Sequence, residues 1–265
     1  MVYFQSIILL RENCELTALK SNTEWKQWGK DDPLWGVASW SNKQKGGCSE
    51  WTDVEFYALG DSDWRDFFWH WQQYGVNKES CLEIGCGAGR ITKPMVRSFD
   101  RIYAVDVSED IINYARERVD AENVEFYVID GLHIPVADCS VRAIFSSHVL
   151  QHLDNVDIGF SYFREFYRVL NMGGTIMVHL PLYQFPIEGG KVGYLFQMIW
   201  NLYHRLTYIR AEINRRKRAK TMRGTPYPIR SLYAFLNNLG YKNIEFRIFP
   251  VKSNGDLHPF VFATK

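Results

Sequence analysis

The sequence predicts an α/β protein built on a doubly wound, mostly parallel sheet with helices on both faces. Apolar, strand-like runs alternate with amphipathic, helix-like segments between residues 81 and 181, which is the pattern of successive βαβ units. A glycine-rich turn follows the first strand, and an acidic residue closes the second. In such a sheet, ligands bind beyond the carboxyl ends of the strands, where the strand order reverses.

The glycine-rich turn places Gly85, Gly87 and Gly89 at alternate positions between Glu83 and Arg90. The glycines leave no side chains between the backbone and a ligand, close to the N–H groups that open the next helix. A dinucleotide fingerprint has its third glycine one residue later, where this chain has Arg90. The turn therefore favours a nucleoside ligand and disfavours a pyrophosphate cofactor.

The second predicted strand, residues 101–106, ends in Asp106, about 20 residues beyond the first glycine of the turn. A carboxylate at this position can accept both hydroxyl groups of a ribose in charge-assisted hydrogen bonds. The alternative is that Asp106 only caps the end of the strand, where aspartate is common.

The remaining elements follow from the hydrophobic periodicity and from the residues that cap or end each segment. Ser108 and Glu109 cap a helix over 110–119, and two glycines at 173 and 174 end a second helix before the fifth strand. The predicted strands are 123–129, 141–147, 175–180, 243–249 and 258–264, and the later helices are 157–170 and 229–239.

From Cys81 to Pro181 the chain resembles the class I S-adenosylmethionine-dependent methyltransferases, in their type 11-like branch. The pattern Glu-x-Gly-x-Gly-x-Gly resembles motif I of that family, and the acids at 106 and 130 stand at its later landmarks. The resemblance implies a seven-stranded Rossmann-like sheet with an antiparallel C-terminal strand, and S-adenosylmethionine as cofactor.

The same resemblance implies roles for individual residues. Glu83 approaches the amino-acid end of the cofactor, and Asp130 faces the adenine amino group, although Asp-Gly is also an ordinary turn signal. Arg90, just inside the following helix, either contacts the methionine carboxylate or is solvated. The implied cofactor-binding residues are Glu83, Gly85, Cys86, Gly87, Gly89, Arg90, Asp106, Val107, Asp130, Gly131 and Ser147.

Residues 1–74 are predicted to form a tryptophan-rich N-terminal cap or lid on the methyltransferase domain at 75–265. Eight of the nine tryptophans lie in this region. Trp64, Phe67 and Trp71 recur at helical spacing, which predicts a helix packed on the edge of the sheet. The loop 31–36 contains proline, glycine and a tryptophan expected to be exposed, which favours a lid over the cofactor pocket.

A second segment, 182–228, is much longer than an ordinary connection and is interpreted as an insertion on the substrate side. Its first part is aromatic at helical period, and residues 204–223 contain eight Lys or Arg against the single Glu212. Such a run is most often a solvated face. Beside an aromatic helix, it favours an acidic or lipid-linked small acceptor, then peripheral membrane contact through 194–223, with nucleic acid ranked last.

The candidate catalytic bases are His148 and His152, just beyond the fourth strand. They are four residues apart, so on a helix they would share a face. Tyr183, after the fifth strand, is a further candidate. No metal site is expected, because the two histidines have neither an adjacent glutamate nor a nearby cysteine pair.

Composition favours a cytoplasmic enzyme with one core: 265 residues, 46% hydrophobic and a formal net charge of +1. The odd number of cysteines and the lack of a Cys-x-x-Cys pair favour reduced thiols. The predicted function is methyl transfer from S-adenosylmethionine to an oxygen of a small or lipid-linked acceptor. The alternatives are a non-catalytic cofactor-binding module and, third, an NAD(P)-dependent oxidoreductase.

Overall fold

The computed structural model describes residues 19–40, 42–184, 224–251, 253 and 255–265. Most of the predicted insertion, including its basic run, lies outside the described residues, as does Cys14. Among the described helices, none has both the length and the apolar character required to cross a bilayer.

The described chain folds around a seven-stranded sheet in the order β3-β2-β1-β4-β5-β9-β8. The first five strands are parallel, and β9 runs antiparallel between β5 and β8. The sheet strands are β1 (Cys81–Ile84), β2 (Ile102–Asp106), β3 (Val124–Val128), β4 (Val141–Ser146), β5 (Leu170–His179), β8 (Lys242–Pro250) and β9 (Leu257–Thr264). The predicted fold class is therefore confirmed, with the strand order reversing between β1 and β4.

Helices cover both faces of this sheet, and each face has its own apolar core. One core includes Phe163 and Phe166 of α6 with Leu232 and Leu236 of α7, and the other includes aromatic residues of α3. The described helices are α1 (Lys20–Asp31), α2 (Pro33–Val37), α3 (Asp53–Tyr74), α4 (Thr92–Met95), α5 (Glu109–Arg118), α6 (Val156–Val169) and α7 (Ile229–Leu239).

Helix α3 begins with a capping box formed by Thr52 and Glu55. The prediction that this helix packs on the sheet edge is wrong, because its aromatic side chains contact the central strands. The ring of Phe67 packs on Phe145 of β4, and the indole N–H of Trp71 donates to the Thr175 hydroxyl of β5 at 3.0 Å. The helix therefore builds one of the two cores of the sheet.

Strand β5 begins earlier than predicted. Leu170 already pairs with Val141 of β4, and the pairing resumes at Thr175 with Ala143. The four residues between them bulge out of the ladder, with Gly173 at φ +75°. The glycines that were predicted to end the helix are thus an irregularity within the strand.

The two ends of the predicted insertion lie side by side. Short strand β6 (Leu182–Tyr183) pairs in parallel with β7 (Tyr227–Pro228). The Thr225 N–H donates to the Gln151 carbonyl at 2.7 Å, which ties the returning chain to the loop after β4.

Candidate functional site

A cavity of about 420 Å³ lies at the carboxyl ends of β1, β2 and β4, where the strand order reverses. Its floor includes the glycine turn, Asp106 and the loop after β4, and its outer wall is formed by α1 and the α2 region. This is where ligands bind in a doubly wound sheet. Of the predicted cofactor residues, Glu83, Gly85, Cys86, Gly87, Arg90, Asp106, Val107 and Ser147 line the cavity.

The glycine turn has a backbone conformation that other residues adopt only with strain. Gly85 has φ +68° and Gly87 has φ +54°. A Cβ at Gly85 would lie 2.2 Å from Val149, and one at Gly87 would lie 2.6 Å from Val37 of α2. Gly89, the third glycine, packs against α5 and does not line the cavity. The turn is therefore held between the loop after β4 and the N-terminal cap.

Asp106 ends β2 and orders the turn with its carboxylate. Its two oxygens accept from the backbone N–H groups of Gly87 and Ser108, both at 3.0 Å. Burial raises the pKa of Asp106, although these N–H groups favour its ionised form. The carboxylate faces the cavity and holds the glycine turn at the same time, so it is more than a strand cap.

Glu83 is buried at the end of β1 and accepts from the Thr92 hydroxyl at 2.6 Å. Burial raises the pKa of Glu83 to about 7, against the opposing effects of Thr92 and Arg90. A buried carboxyl with this pKa is poised to ionise when a cation binds beside it.

Arg90 forms a buried ion pair with Asp63 of α3, so it is not solvated. It lies two residues before α4, whereas the sequence analysis placed it inside the helix. Gly60 makes the pair possible, because a Cβ there would lie 2.0 Å from the Arg90 carbonyl oxygen. Within the part of the chain that the structure describes, Asp63 Oδ1 and Arg90 Nε are buried with no hydrogen-bond partner, and both residues line the cavity. Asp63 Oδ1 can accept a hydrogen bond from a cationic group of a ligand, and Arg90 Nε can donate one to an anionic group of the same ligand.

Asp130 and Gly131 do not reach the cavity wall. Asp130 is exposed, and its carboxylate accepts from the backbone N–H groups of Leu132 and His133, both at 2.8 Å. Gly131 is buried beneath Asn22, whose side-chain amide donates to the Asp130 carbonyl at 2.6 Å. The local turn thus engages one carboxylate oxygen of Asp130, outside the cavity wall, and the adenine contact implied for this residue stays a prediction.

The N-terminal cap covers the cavity, although its details differ from the prediction. Asn22 and Trp25 of α1 and Val37 of α2 line the wall. The predicted lid loop is largely helical, and Trp35 is buried, with its indole N–H donating to the Trp40 carbonyl at 3.0 Å. The segment predicted to be a lid is a packed pair of helices, and its movement over the cavity stays a prediction.

The two candidate bases line the cavity but do not share a helix face. His148 has φ +60° and precedes a short 3₁₀ turn, Leu150–His152, so the two rings turn to different neighbours. His152 packs edge-on against Trp25 at 5.2 Å between ring centroids. Tyr183 lies in β6, away from the cavity wall.

His148 belongs to a cluster of three histidines that the sequence analysis did not bring together. Its ring stacks on His179 at 4.1 Å and lies 5.0 Å from His258, between centroids. Burial lowers the pKa of His148 well below its usual range, that of His179 to about 3, and that of His258 as well. All three rings are therefore neutral at pH 7.

The positions of these histidines are a consequence of the topology. His148 follows β4, His179 ends β5 and His258 lies at the start of β9, and these strands are neighbours in the sheet. The antiparallel direction of β9 places its beginning beside the end of β5. Each histidine lies at or near the end of a strand that the sequence predicts. Only the strand order of the sheet shows that these three ends are adjacent.

The fold is that of a doubly wound α/β domain, and comparison with known proteins shows which proteins it resembles. Residues 82–178 match the family model described as a methyltransferase domain. The magnesium protoporphyrin IX methyltransferase of Synechocystis PCC 6803, solved with bound S-adenosylhomocysteine, is 12% identical with a TM-score of 0.57. The match covers 93% of this chain and 100% of that one. At this identity, the likeness shows the fold alone.

Curated relatives match over shorter regions. A malonyl-[acyl-carrier protein] O-methyltransferase of Hahella chejuensis is 32% identical over 119 residues, which is 43% of this chain and 42% of the relative. An arsenite methyltransferase of Halobacterium salinarum is 35% identical over 106 residues, covering 38% of this chain and 26% of the relative. The chain thus spans less than half the length of these relatives.

Together, these findings show that residues 82–178 match a methyltransferase domain, and the strand order and glycine turn are those expected of a member of the class I S-adenosylmethionine-dependent methyltransferase superfamily. The cavity fits the cofactor of this superfamily. The Asp106 carboxylate and the backbone of Gly85 and Gly87 line it, which are the groups predicted to bind ribose and nucleoside. The unpartnered atoms of Asp63 and Arg90 suit the charged amino-acid end.

Proposed function

We propose that this protein transfers a methyl group from S-adenosylmethionine to an oxygen atom of a small or lipid-linked, acidic acceptor. The observation that carries the proposal is the cavity at the switch point, where Asp106, the glycine turn and the Asp63–Arg90 pair share one wall. The cofactor supplies an electrophilic sulfonium methyl group. The protein's task is to place the acceptor atom in line with it, at about 3 Å.

In this proposal, different residues of the cavity bind different parts of the cofactor. Asp106 accepts the ribose hydroxyls, and the Gly85–Gly87 backbone lies against the nucleoside. Glu83 and Asp63 face the cofactor's ammonium group, and Arg90 faces its carboxylate. A cationic ligand beside Glu83 favours the ionised form of this residue, whose pKa is about 7 in the free protein.

The adenine ring is assigned to the wall built by Ile129 and Asn22. Both residues line the cavity, whereas Asp130 does not. Asn22 already holds the Asp130 carbonyl, so α1 and the loop after β3 form one surface. This assignment gives the N-terminal cap a direct part in cofactor binding.

The acceptor is assigned to the side of the cavity where His148 lies. Gly224, the first described residue after the basic run, also lines the cavity. A chain that returns there from eight Lys or Arg residues favours an anionic acceptor. The O-methyltransferase relative is named for a malonyl acceptor, which carries a carboxylate. His148, which lines the cavity, is the candidate to receive a proton from a hydroxyl acceptor.

The test is transfer of an isotopically labelled methyl group to a panel of acceptors, beginning with a malonyl thioester and long-chain hydroxy and carboxylic acids. The expected result is a labelled methyl ester or ether with at least one oxygen acceptor. Binding of the cofactor without transfer to any acceptor would support a non-catalytic module instead. Labelling only at carbon or nitrogen would overturn the oxygen assignment. The cytoplasmic location stays a prediction.

A further inference from the structure

We infer that His148, His179 and His258 bind one divalent transition-metal ion at the acceptor end of the cavity. The site itself is argued from the described geometry, while the role of the ion rests on the proposed function. The histidines come from the ends of three adjacent strands, so the sheet fixes their relative positions.

The donor set fits such an ion. One ligand atom from each of the three side chains can be chosen so that all lie within 4.8 Å of one another. Three imidazoles with an open fourth position form a donor set of catalytic zinc sites. Zinc–nitrogen bonds of about 2.0–2.1 Å require ligand nitrogens about 3.3 Å apart. The rings must therefore turn from their stacked arrangement when the ion binds, and His258 is only partly buried.

An independent observation points to a ligand at this place. The Nδ1 atom of His179 is buried and has no hydrogen-bond partner among the described residues, and the residue is only 4% exposed. Buried polar atoms in folded proteins are nearly always satisfied, so an unpartnered one indicates a missing ion or ligand. A coordinated metal ion supplies what the described protein atoms do not.

The surroundings of His148 also suit a metal ligand. Its Nδ1 atom is hydrogen-bonded to the Ser147 hydroxyl at 2.8 Å, which leaves Nε2 as the available donor. A metal-bound histidine typically has such a partner on its second nitrogen. Arg90, the nearby cation, is paired with Asp63, so its charge is compensated.

His148 and His258 line the cavity, so the fourth position of the ion would open toward the acceptor. An oxygen or sulfur ligand, such as a carboxylate, hydroxyl or thiol, is the natural occupant. This chemistry agrees with the proposed acidic acceptor. His148 would then act as a ligand, and metal dependence distinguishes that role from the role of a base.

The experiment is a calorimetric titration of the chelator-treated, full-length protein with Zn²⁺, in parallel with S-adenosylhomocysteine. Wild type is expected to bind one Zn²⁺ per chain. His258→Gln should weaken zinc binding by about 100-fold or more, because even loss of a partner behind a ligand costs 10- to 100-fold. S-adenosylhomocysteine affinity should stay unchanged in this variant. His133→Gln, at an exposed histidine away from the cavity, is the matched control and should bind zinc as wild type does.

Cobalt(II) absorption gives a second readout. The expected spectrum is that of a four-coordinate site with nitrogen and oxygen donors. Intense thiolate charge transfer would place the metal on cysteines such as Cys48 or Cys139, which are exposed, and would overturn the inference. A folded His179→Gln variant, checked by thermal unfolding, should also lose the site.

Absence of zinc binding in wild type, or equal binding in wild type, His258→Gln and His179→Gln, would overturn the metal site. The two proposals fail separately. Cofactor binding without zinc binding leaves the methyltransferase proposal intact, and zinc binding without cofactor binding leaves the metal site intact.

Discussion

The two ends of the cavity differ in how they are built. The cofactor end is made from neighbours in sequence: Glu83, the glycine turn and Arg90 lie within eight residues, and Asp106 follows one βαβ unit later. The acceptor end is made from His148, His179 and His258, which the chain supplies from three separate strand ends. The cofactor end can therefore be predicted from residues that are close in sequence, whereas the acceptor end can be recognised only from the strand order.

The largest expected effect tests the acceptor end. His148→Ala should lower kcat for the best oxygen acceptor by about 10²- to 10⁴-fold, because it removes a ring that serves either as the base or as a ligand of the proposed metal ion. S-adenosylhomocysteine affinity should change little, because no cofactor contact is assigned to this ring. Steady-state kinetics and calorimetry on the same preparation separate these effects. Equal loss of turnover and cofactor affinity would mean that His148 supports the whole cavity.

At the cofactor end, Asp106→Ala should weaken S-adenosylhomocysteine binding by about 100-fold or more. Two charge-assisted hydrogen bonds contribute about 1.5–3 kcal/mol each. The protein should stay folded, as circular dichroism would show.

Asp130→Ala is the matched control, since Asp130 is exposed and its carboxylate is bonded to its own turn. Its effect on affinity should be less than about threefold. Reversed effects of the two substitutions would exchange their assignments and restore the adenine role implied by the family.

The raised pKa of Glu83 predicts two opposite pH trends. The pKa of this carboxyl is near its ordinary value of 4.5 in the unfolded chain and about 7 in the folded protein. The resulting stability is fully present below 4.5 and is lost as pH rises to about 7, by about 3 kcal/mol. Cofactor affinity should instead rise over this range, because the cofactor's ammonium group favours the ionised carboxylate.

Chemical denaturation and calorimetry at several pH values measure the two trends. Glu83→Gln, which cannot titrate, should flatten both. The account of Glu83 would be wrong if the variant kept the wild-type pH dependence of cofactor affinity.

The smallest effect is expected from the basic run. Replacing Arg215, Arg216, Lys217 and Arg218 by glutamine should raise KM for an anionic acceptor by about tenfold or less, since a single charge–charge attraction in water contributes little. The effect should fade at high salt. Cofactor affinity should not change. A loss of cofactor affinity would instead assign the run to the cofactor pocket.

The sequence predicted most of the sheet, because strand and helix signals are local. Ser108 caps α5, and Gly240 ends α7 in a left-handed conformation, as their residue types indicate. The start of β5 was missed because Leu170 already pairs with β4, and a four-residue bulge that contains the glycines separates it from the rest of the strand. Helix α3 was assigned to the edge of the sheet because hydrophobic periodicity predicts which face of a helix is buried, but not which strands that face packs against.

The candidate site divides in the same way. The residues that line the cofactor end were mostly predicted, from Glu83 to Ser147. Asp63 was missed because its ion pair with Arg90 joins residues 27 positions apart, with no motif to connect them. His179 and His258 look like ordinary strand-end residues until β9 is placed beside β5. The prediction that there is no metal site was based only on His148 and His152, which are four residues apart in the sequence.

The most direct test of the central claim is calorimetric titration of the purified protein with S-adenosylhomocysteine, with NAD as the parallel control. The account predicts micromolar binding of S-adenosylhomocysteine, lost in Asp106→Ala, and no binding of NAD. Binding of NAD alone, or wild-type affinity for S-adenosylhomocysteine in Asp106→Ala, would contradict it.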